Sequence, residues 1–134
     1  MTNGNDSNGG FAVRLDHHSG VPIYRQIITQ ILYGIARGDL ASGVQLPTVR
    51  QLAVDLSVNP NTVIKAYKEL EIRGNLETQQ GTGTFIRDSA VKISPEEKRR
   101  LLEQICVDAV SRAGAYGIAP GEIIEALRDF GEER

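Results

Sequence analysis

The sequence predicts a mainly α-helical chain: a compact helical unit that carries a small β-hairpin, followed by a tail of two short helices. Three observations predict it. Isoleucine recurs every fourth residue from Ile23 to Ile35, which is the mark of one apolar helix face. Two further helices announce their starts with the capping residues Thr48 and Asn59 and are separated by a short break. Leu76–Gln79 and Thr84–Ile86 then flank the turn sequence QGTG, which reads as a hairpin.

The bulk properties bound what such a chain does. Its 134 residues suffice for one compact domain and a small appendage. With 40% apolar and 24% charged residues it has the composition of a soluble globular protein. No apolar run approaches the roughly 18 residues that would suggest a membrane span, so no membrane partner is expected. The stretch MTNGNDSNGG lacks a charged start and an apolar core, so residues 1–10 read as a disordered tail rather than a signal peptide. The single cysteine, Cys106, lies in an apolar helical pattern where burial is expected, and a cytoplasmic location fits it.

The net charge of −2 argues against purely charge-driven nucleic-acid binding. Its distribution is uneven. Residues 21–88 hold seven Lys/Arg against six Asp/Glu, whereas residues 89–134 hold seven against nine. The middle of the chain is mildly basic and the tail mildly acidic, which alone carries little weight.

Each element has its own justification. FAVRL (Phe11 to Leu15) alternates apolar and polar residues and reads as a short edge strand. His17 and His18 follow in the turn DHHSG; adjacent histidines cannot converge on one metal from a regular element, so no metal site is expected. Pro22 opens the first helix and Gly38 ends it, with Tyr24, Ile28 and Leu32 widening the isoleucine stripe. GDLASGVQLP is a turn with room for a very short strand.

Thr48 and Gln51 form a capping box, and Leu52, Ala53 and Leu56 give the short helix behind it a buried side. SVN breaks that helix. Asn59 caps the next, and Pro60 takes the first helical position, where its missing N–H costs nothing. Val63, Tyr67 and Leu70 face inward with Ala66 and Ile72 nearby, and Gly74 stops the helix. Two helices with a short break between them, the second polar at its start and apolar behind, make a helix-turn-helix pattern, and the hairpin after them is a wing. QGTGT is not a nucleotide-phosphate loop, because no Lys-Ser/Thr pair and no helix follow it.

From Ser94 the character changes. Ser94 and Glu97 form a second capping box with Pro95 at the first helical position, and the helix runs to about Ala113. Leu101, Leu102, Ile105, Ala109 and Val110 make its apolar side. A last helix from Pro120 to Phe130 groups Ile123, Ile124, Leu127 and Phe130. Two helices this short cannot enclose a core of their own, so these faces are expected to meet the first domain, a second copy of the chain, or both.

These residues carry a resemblance. PIYRQI, LPTVRQLA, NPNTV, AYKELEIRG and GTGTF occur in order, essentially without gaps, over residues 21–88. They closely resemble the winged-helix DNA-binding domain of GntR-type bacterial transcription regulators, and the NPNT variant with a short helical tail looks like the subfamily named after YtrA. The resemblance implies a dimeric repressor, often encoded near membrane-transport genes. It also implies that the larger effector-binding domains of other groups are absent, as is the aminotransferase-like domain with its pyridoxal phosphate. No cofactor is therefore expected.

Residue by residue, the resemblance implies that Thr48 contacts phosphate and that Arg50 holds a phosphate or a guanine edge. Asn61 and Thr62 would face base edges and backbone in the major groove, Lys65 would add a base or phosphate contact, and Tyr67 would touch phosphate. Gln80, Gly81 and Thr82 would form the wing tip at the minor groove. Many relatives have arginine at the position of Pro60 and another basic residue near Ile64, which leaves Asn61 and Lys65 as the main base-reading candidates. Against these roles stand plainer ones. Tyr67 shares the spacing of Val63 and Leu70 and reads more strongly as core, and Gly81 and Gly83 would serve the turn.

Physics supplies a reason for a low charge count. A helix N-terminus offers free amides and partial positive charge to phosphate, and Asn and Arg pair with adenine and guanine edges. Two chains acting together double every contact. The resulting expectation is a disordered tail over 1–10, a winged helix-turn-helix domain over 11–88, and a helical dimerisation or effector-response tail over 89–134. Leu101, Ile105, Ile123, Leu127 and Phe130 are the dimer candidates. The expected partners are double-stranded DNA, as a palindromic operator, and a second copy of the chain, with an unidentified small-molecule effector left open. The competing reading is a winged helix used for protein or RNA contact. No nucleophile, base and orienting group occur together, so an enzyme is not expected.

Overall fold

The computed structural model describes residues 11–88 and 93–132. The elements run α1 (Ile23–Arg37), α2 (Val49–Leu56), α3 (Pro60–Ile72), β1 (Leu76–Gln79), β2 (Gly83–Ile86), α4 (Pro95–Gly114) and α5 (Pro120–Glu132). They divide into two compact units, Met1–Ser89 and Ala90–Arg134. The expected disordered tail over 1–10 lies outside the described residues.

In the first unit α3 packs against both α1 and α2. Ile27 and Ile31 from α1, Leu52 and Ala53 from α2, and Val63, Ala66 and Leu70 from α3 meet with Leu76 and Ile86 of the hairpin in one core. Each helix begins and ends where its sequence signals it. The Thr48 hydroxyl accepts from the Gln51 amide at 3.0 Å, and Asn59 Oδ1 accepts from the Asn61 amide at 2.8 Å. Gly38 ends α1 in the left-handed conformation. Between α2 and α3 the left-handed position falls to Ser57 at φ 57°, a conformation that costs a side-chain-bearing residue about 1–2 kcal/mol.

The hairpin pairs Leu76 with Ile86 through to Gln79 with Gly83, antiparallel. Segment 43–46 adds a third line to it. Gly43 donates to the Ile86 carbonyl, Ile86 to that of Val44 and Leu46 to that of Thr84, each at 2.8 Å, and Gln45 bridges Phe85. The very short strand expected in GDLASGVQLP is this single bridge.

Three expectations need correction. FAVRL forms no strand. Its backbone is held by side-chain amides of α1 instead: Gln30 Oε1 accepts from the Arg14 amide at 2.7 Å, and Gln26 Oε1 from that of Asp16 at 2.8 Å. Phe11, Val13 and Leu15 still point at the core, so the alternation is real while the partner is not a strand. Ile72, placed near the inward face, is 81% exposed, because it is the last residue of α3 and overruns the core. Cys106, expected to be buried, is exposed on α4. No residue of α4 is buried within the chain, so its apolar pattern marks a face rather than an interior.

In the second unit α4 and α5 contact one another. Ser94 Oγ accepts from the Glu97 amide at 3.1 Å, so the second cap forms as its sequence indicates. Ile123 is half-buried, while Ile105, Leu127 and Phe130 are 60%, 61% and 49% exposed. No described helix is long and apolar enough to cross a membrane.

Candidate nucleic-acid interface

The polar candidates sit at two helix starts and one hairpin tip. Arg50 is exposed in the first turn of α2, and its guanidinium makes no hydrogen bond or ion pair with any described residue. The backbone amides of Val49 and Arg50 are likewise without an acceptor among the described residues, since the Thr48 hydroxyl serves Gln51 and its carbonyl serves Leu52. A cationic side chain therefore stands beside two open N–H groups at the positive end of a helix, an arrangement that suits phosphate.

The start of α3 is built differently. Pro60 has no N–H, the Asn61 amide goes to Asn59 Oδ1, and the Thr62 amide donates to the Asn59 carbonyl at 2.9 Å. The cap thus engages the amides at this end. The side chains are left to act. The Asn61 carboxamide is exposed and the Thr62 hydroxyl half-exposed, neither with a partner among the described residues.

Tyr67 belongs to the core. Its ring is 5% exposed and its hydroxyl donates to the Pro47 carbonyl at 2.8 Å. Burial pushes its ionisation well above the usual phenol range. The bond ties the middle of α3 to the residue just before Thr48 and engages the hydroxyl within the fold.

At the wing tip Gln80, Gly81 and Thr82 are exposed. The Thr82 amide closes the turn on the Gln79 carbonyl at 2.9 Å, and Gly81 supplies the positive φ of 80° that this turn needs. Gln45 braces the tip from the side: its Nε2 donates to the Thr82 carbonyl at 3.1 Å. A Cβ on Gly83 would lie 2.4 Å from that nitrogen, so the glycine makes room for the brace. Gln45 was not a sequence candidate, since nothing local marks a glutamine that braces a turn far along the chain.

Lys65 is exposed but not loose. Its Nζ lies 4.1 Å from the centre of the Tyr24 ring on α1, a contact with no signature in the sequence around either residue.

Comparison with known proteins agrees with this geometry. Residues 23–86 match the profile of bacterial regulatory proteins, gntR family. The chain is 39% identical over 114 residues to the uncharacterized HTH-type transcriptional regulator YhcF of Bacillus subtilis, covering 85% of this chain and 93% of that protein. It is 43% identical over 101 residues to the HTH-type transcriptional repressor YtrA of the same organism, covering 72% and 78%. A solved structure titled as a transcriptional antiterminator from Listeria monocytogenes superposes with a TM-score of 0.72 at 30% identity, covering 91% of both chains. By these matches the chain belongs to the GntR family of DNA-binding transcriptional regulators, a family of regulators and not of enzymes, among its YtrA-like members.

Proposed function

We propose that the chain is a homodimeric repressor that reads a palindromic operator with the start of α3 and grips its backbone with the start of α2 and the wing. The observation that supports this best is the set of polar groups without partners among the described residues. Arg50, the amides of Val49 and Arg50, and the carboxamide of Asn61 all lie at helix starts, while the side chains behind them are packed. Arg50 and Thr48 take the phosphate side, although the Thr48 hydroxyl is engaged in its cap and contacts DNA only as a shared group. Asn61 and Thr62 take the base side, where a good two-point contact discriminates by about 1–3 kcal/mol.

Dimerisation is the role that best accounts for the tail. Leu101, Ile105, Leu127 and Phe130 present apolar area to solvent on a single chain, and covering it would release that area from water at about 25 cal/mol per Å2. The relative named a repressor supports repression, and a transporter operon is the target that the subfamily resemblance favours. A cytoplasmic site of action follows from that role, and an effector that relieves repression would have to bind the DNA-competent and incompetent states differently.

The test is selection of duplexes from a random pool, with sedimentation of the protein and its complex. A two-fold symmetric site bound by two chains is expected, and Arg50→Ala should weaken binding and lower the salt dependence by about one unit per chain. Unchanged affinity and salt dependence in a folded Arg50→Ala protein would remove Arg50 from the interface. Failure to enrich any duplex, with enrichment from a parallel RNA pool, would favour the RNA-contact reading.

A further inference from the structure

Lys65 is the first cation along the recognition helix, and both a base and a phosphate are chemically open to it. Its surroundings decide between them. Tyr24 is half-buried and packs against the core of the first unit, so its ring is fixed at the seam where α1 meets α3. The Lys65 ammonium lies 4.1 Å from that ring's centre, well inside the roughly 6 Å range of a cation–π contact. The Arg25 guanidinium carbon is 5.6 Å from the same centre. Neither cation forms an ion pair with a described carboxylate. Two like charges thus share one ring within about a Debye length of each other, ~10 Å at moderate salt. An anion beside them relieves that repulsion.

We propose that Tyr24 is a positioning residue of the DNA interface, whose ring holds Lys65 at the seam of α1 and α3 so that it takes a backbone phosphate and not a base edge. The proposal rests on the DNA-binding role of α3 given above. A lysine that reads guanine O6 and N7 must extend into the groove, which would mean leaving the ring. A lysine held on the ring keeps N–H donors free for phosphate oxygens, because the ring occupies only one side of an ammonium that has three. In the helix-turn-helix arrangement the recognition helix lies in the groove with sugar-phosphate backbone along both of its flanks, and a cation held on the flank of α3 that packs against α1 is set toward one of those walls. Lys65 then positions the domain, and the sequence preference of this helix falls to Asn61 and Thr62.

The test uses the full chain, a random duplex pool and a short nonspecific duplex titrated with salt. Lys65→Met should weaken binding by the same factor on all sequences, leave the selected site unchanged, and lower the salt slope by about 0.9 per chain. Tyr24→Leu should shift affinity in the same direction, Tyr24→Phe should match the wild type, and the double variant with Tyr24→Leu should bind no worse than Lys65→Met alone. In the free protein, the Lys65 ε-protons should resonate upfield from the ring current of Tyr24. Loss of preference at one base pair in Lys65→Met would overturn the proposal, as would additive losses in the double variant. If Tyr24→Leu does not fold, Lys65→Met and the proton shift still decide, and an unshifted ε-proton resonance overturns it. A wild type that binds no duplex would instead sink the DNA-binding reading of α3, and this proposal with it.

Discussion

Replacing Tyr67 with phenylalanine separates packing from DNA contact in a single substitution. The change removes one hydroxyl and leaves the ring, which is 5% exposed, in place. It breaks the 2.8 Å bond to the Pro47 carbonyl. A net hydrogen bond contributes about 0.5–1.5 kcal/mol, and an acceptor left without a partner costs about 1–3 kcal/mol where it is buried. Pro47 is half-buried, so water partly compensates, and a loss of about 1–2 kcal/mol is expected. For a unit of this size that lowers the melting temperature by roughly 4–8 °C per kcal/mol. Urea unfolding should show a lower midpoint with an unchanged slope.

DNA binding supplies the contrast. If Tyr67 only packs, the affinity of the folded protein for every duplex stays at its wild-type value. If its hydroxyl held a phosphate, losing it would weaken binding to all duplexes alike at an unchanged salt slope, because a neutral hydroxyl releases no counterion. A pH series adds an independent check. The folded protein holds the Tyr67 proton above the usual range, whereas the unfolded chain releases it near pH 10. Above about pH 10 the native state therefore binds more protons than the unfolded one, and the wild type loses stability as pH rises, by up to about 1.4 kcal/mol per pH unit for one group. Tyr67→Phe lacks this group, so its deficit should shrink above pH 10. Weakened binding to all duplexes with full stability at neutral pH would refute the core assignment.

Two further outcomes test the wing and the tail. Gly83→Ala places a Cβ 2.4 Å from Gln45 Nε2 at a φ of 142°, so it should destabilise the first unit by about 1–3 kcal/mol and weaken DNA binding; adding Gln45→Ala should restore only the part due to the clash, as read by urea unfolding. Leu127→Asp puts a charge on the exposed face of α5 and should give a monomer by sedimentation with weaker operator binding; a persistent dimer would exclude that face as the contact.

The legibility of this chain follows the range of each interaction. The helix starts at Thr48, Asn59 and Ser94 are written in adjacent residues, and each cap forms. The hairpin is equally local, with a glycine at the turn position that requires it. Alternation in FAVRL marked Phe11, Val13 and Leu15, which pack against the core, but the edge strand it suggested is absent, because the backbone there is met by glutamine side chains on α1 and not by a strand. Ile72 and Cys106 were misplaced because periodicity gives a face without saying how far the opposing surface extends. The Lys65–Tyr24 contact, the Gln45 brace and the Tyr67–Pro47 bond join distant segments, and none of these three interactions is written locally, although the burial of Tyr67 shows in its spacing with Val63 and Leu70.

The cap at α3 changes how so little charge suffices. Pro60, Asn61 and Thr62 leave that helix start without a free amide, so its share of the grip cannot come from backbone N–H groups. The open amides lie instead at α2, next to Arg50, and Lys65 on α3 is held against Tyr24. Phosphate binding and base reading are then assigned to different elements. With few counterions released per chain, the sequence-independent part of the affinity is small. A small nonspecific term makes specificity easier to reach, because each base contact by Asn61 or Thr62 competes against weaker binding to every other site. Weak grip per chain is the condition under which a second copy would matter most: in the proposed dimer, two chains joined by their tails would bind two half-sites at high effective concentration, where either chain alone would not hold. On that proposal the low net charge and the exposed apolar tail form one design, in which assembly would supply the affinity that charge does not.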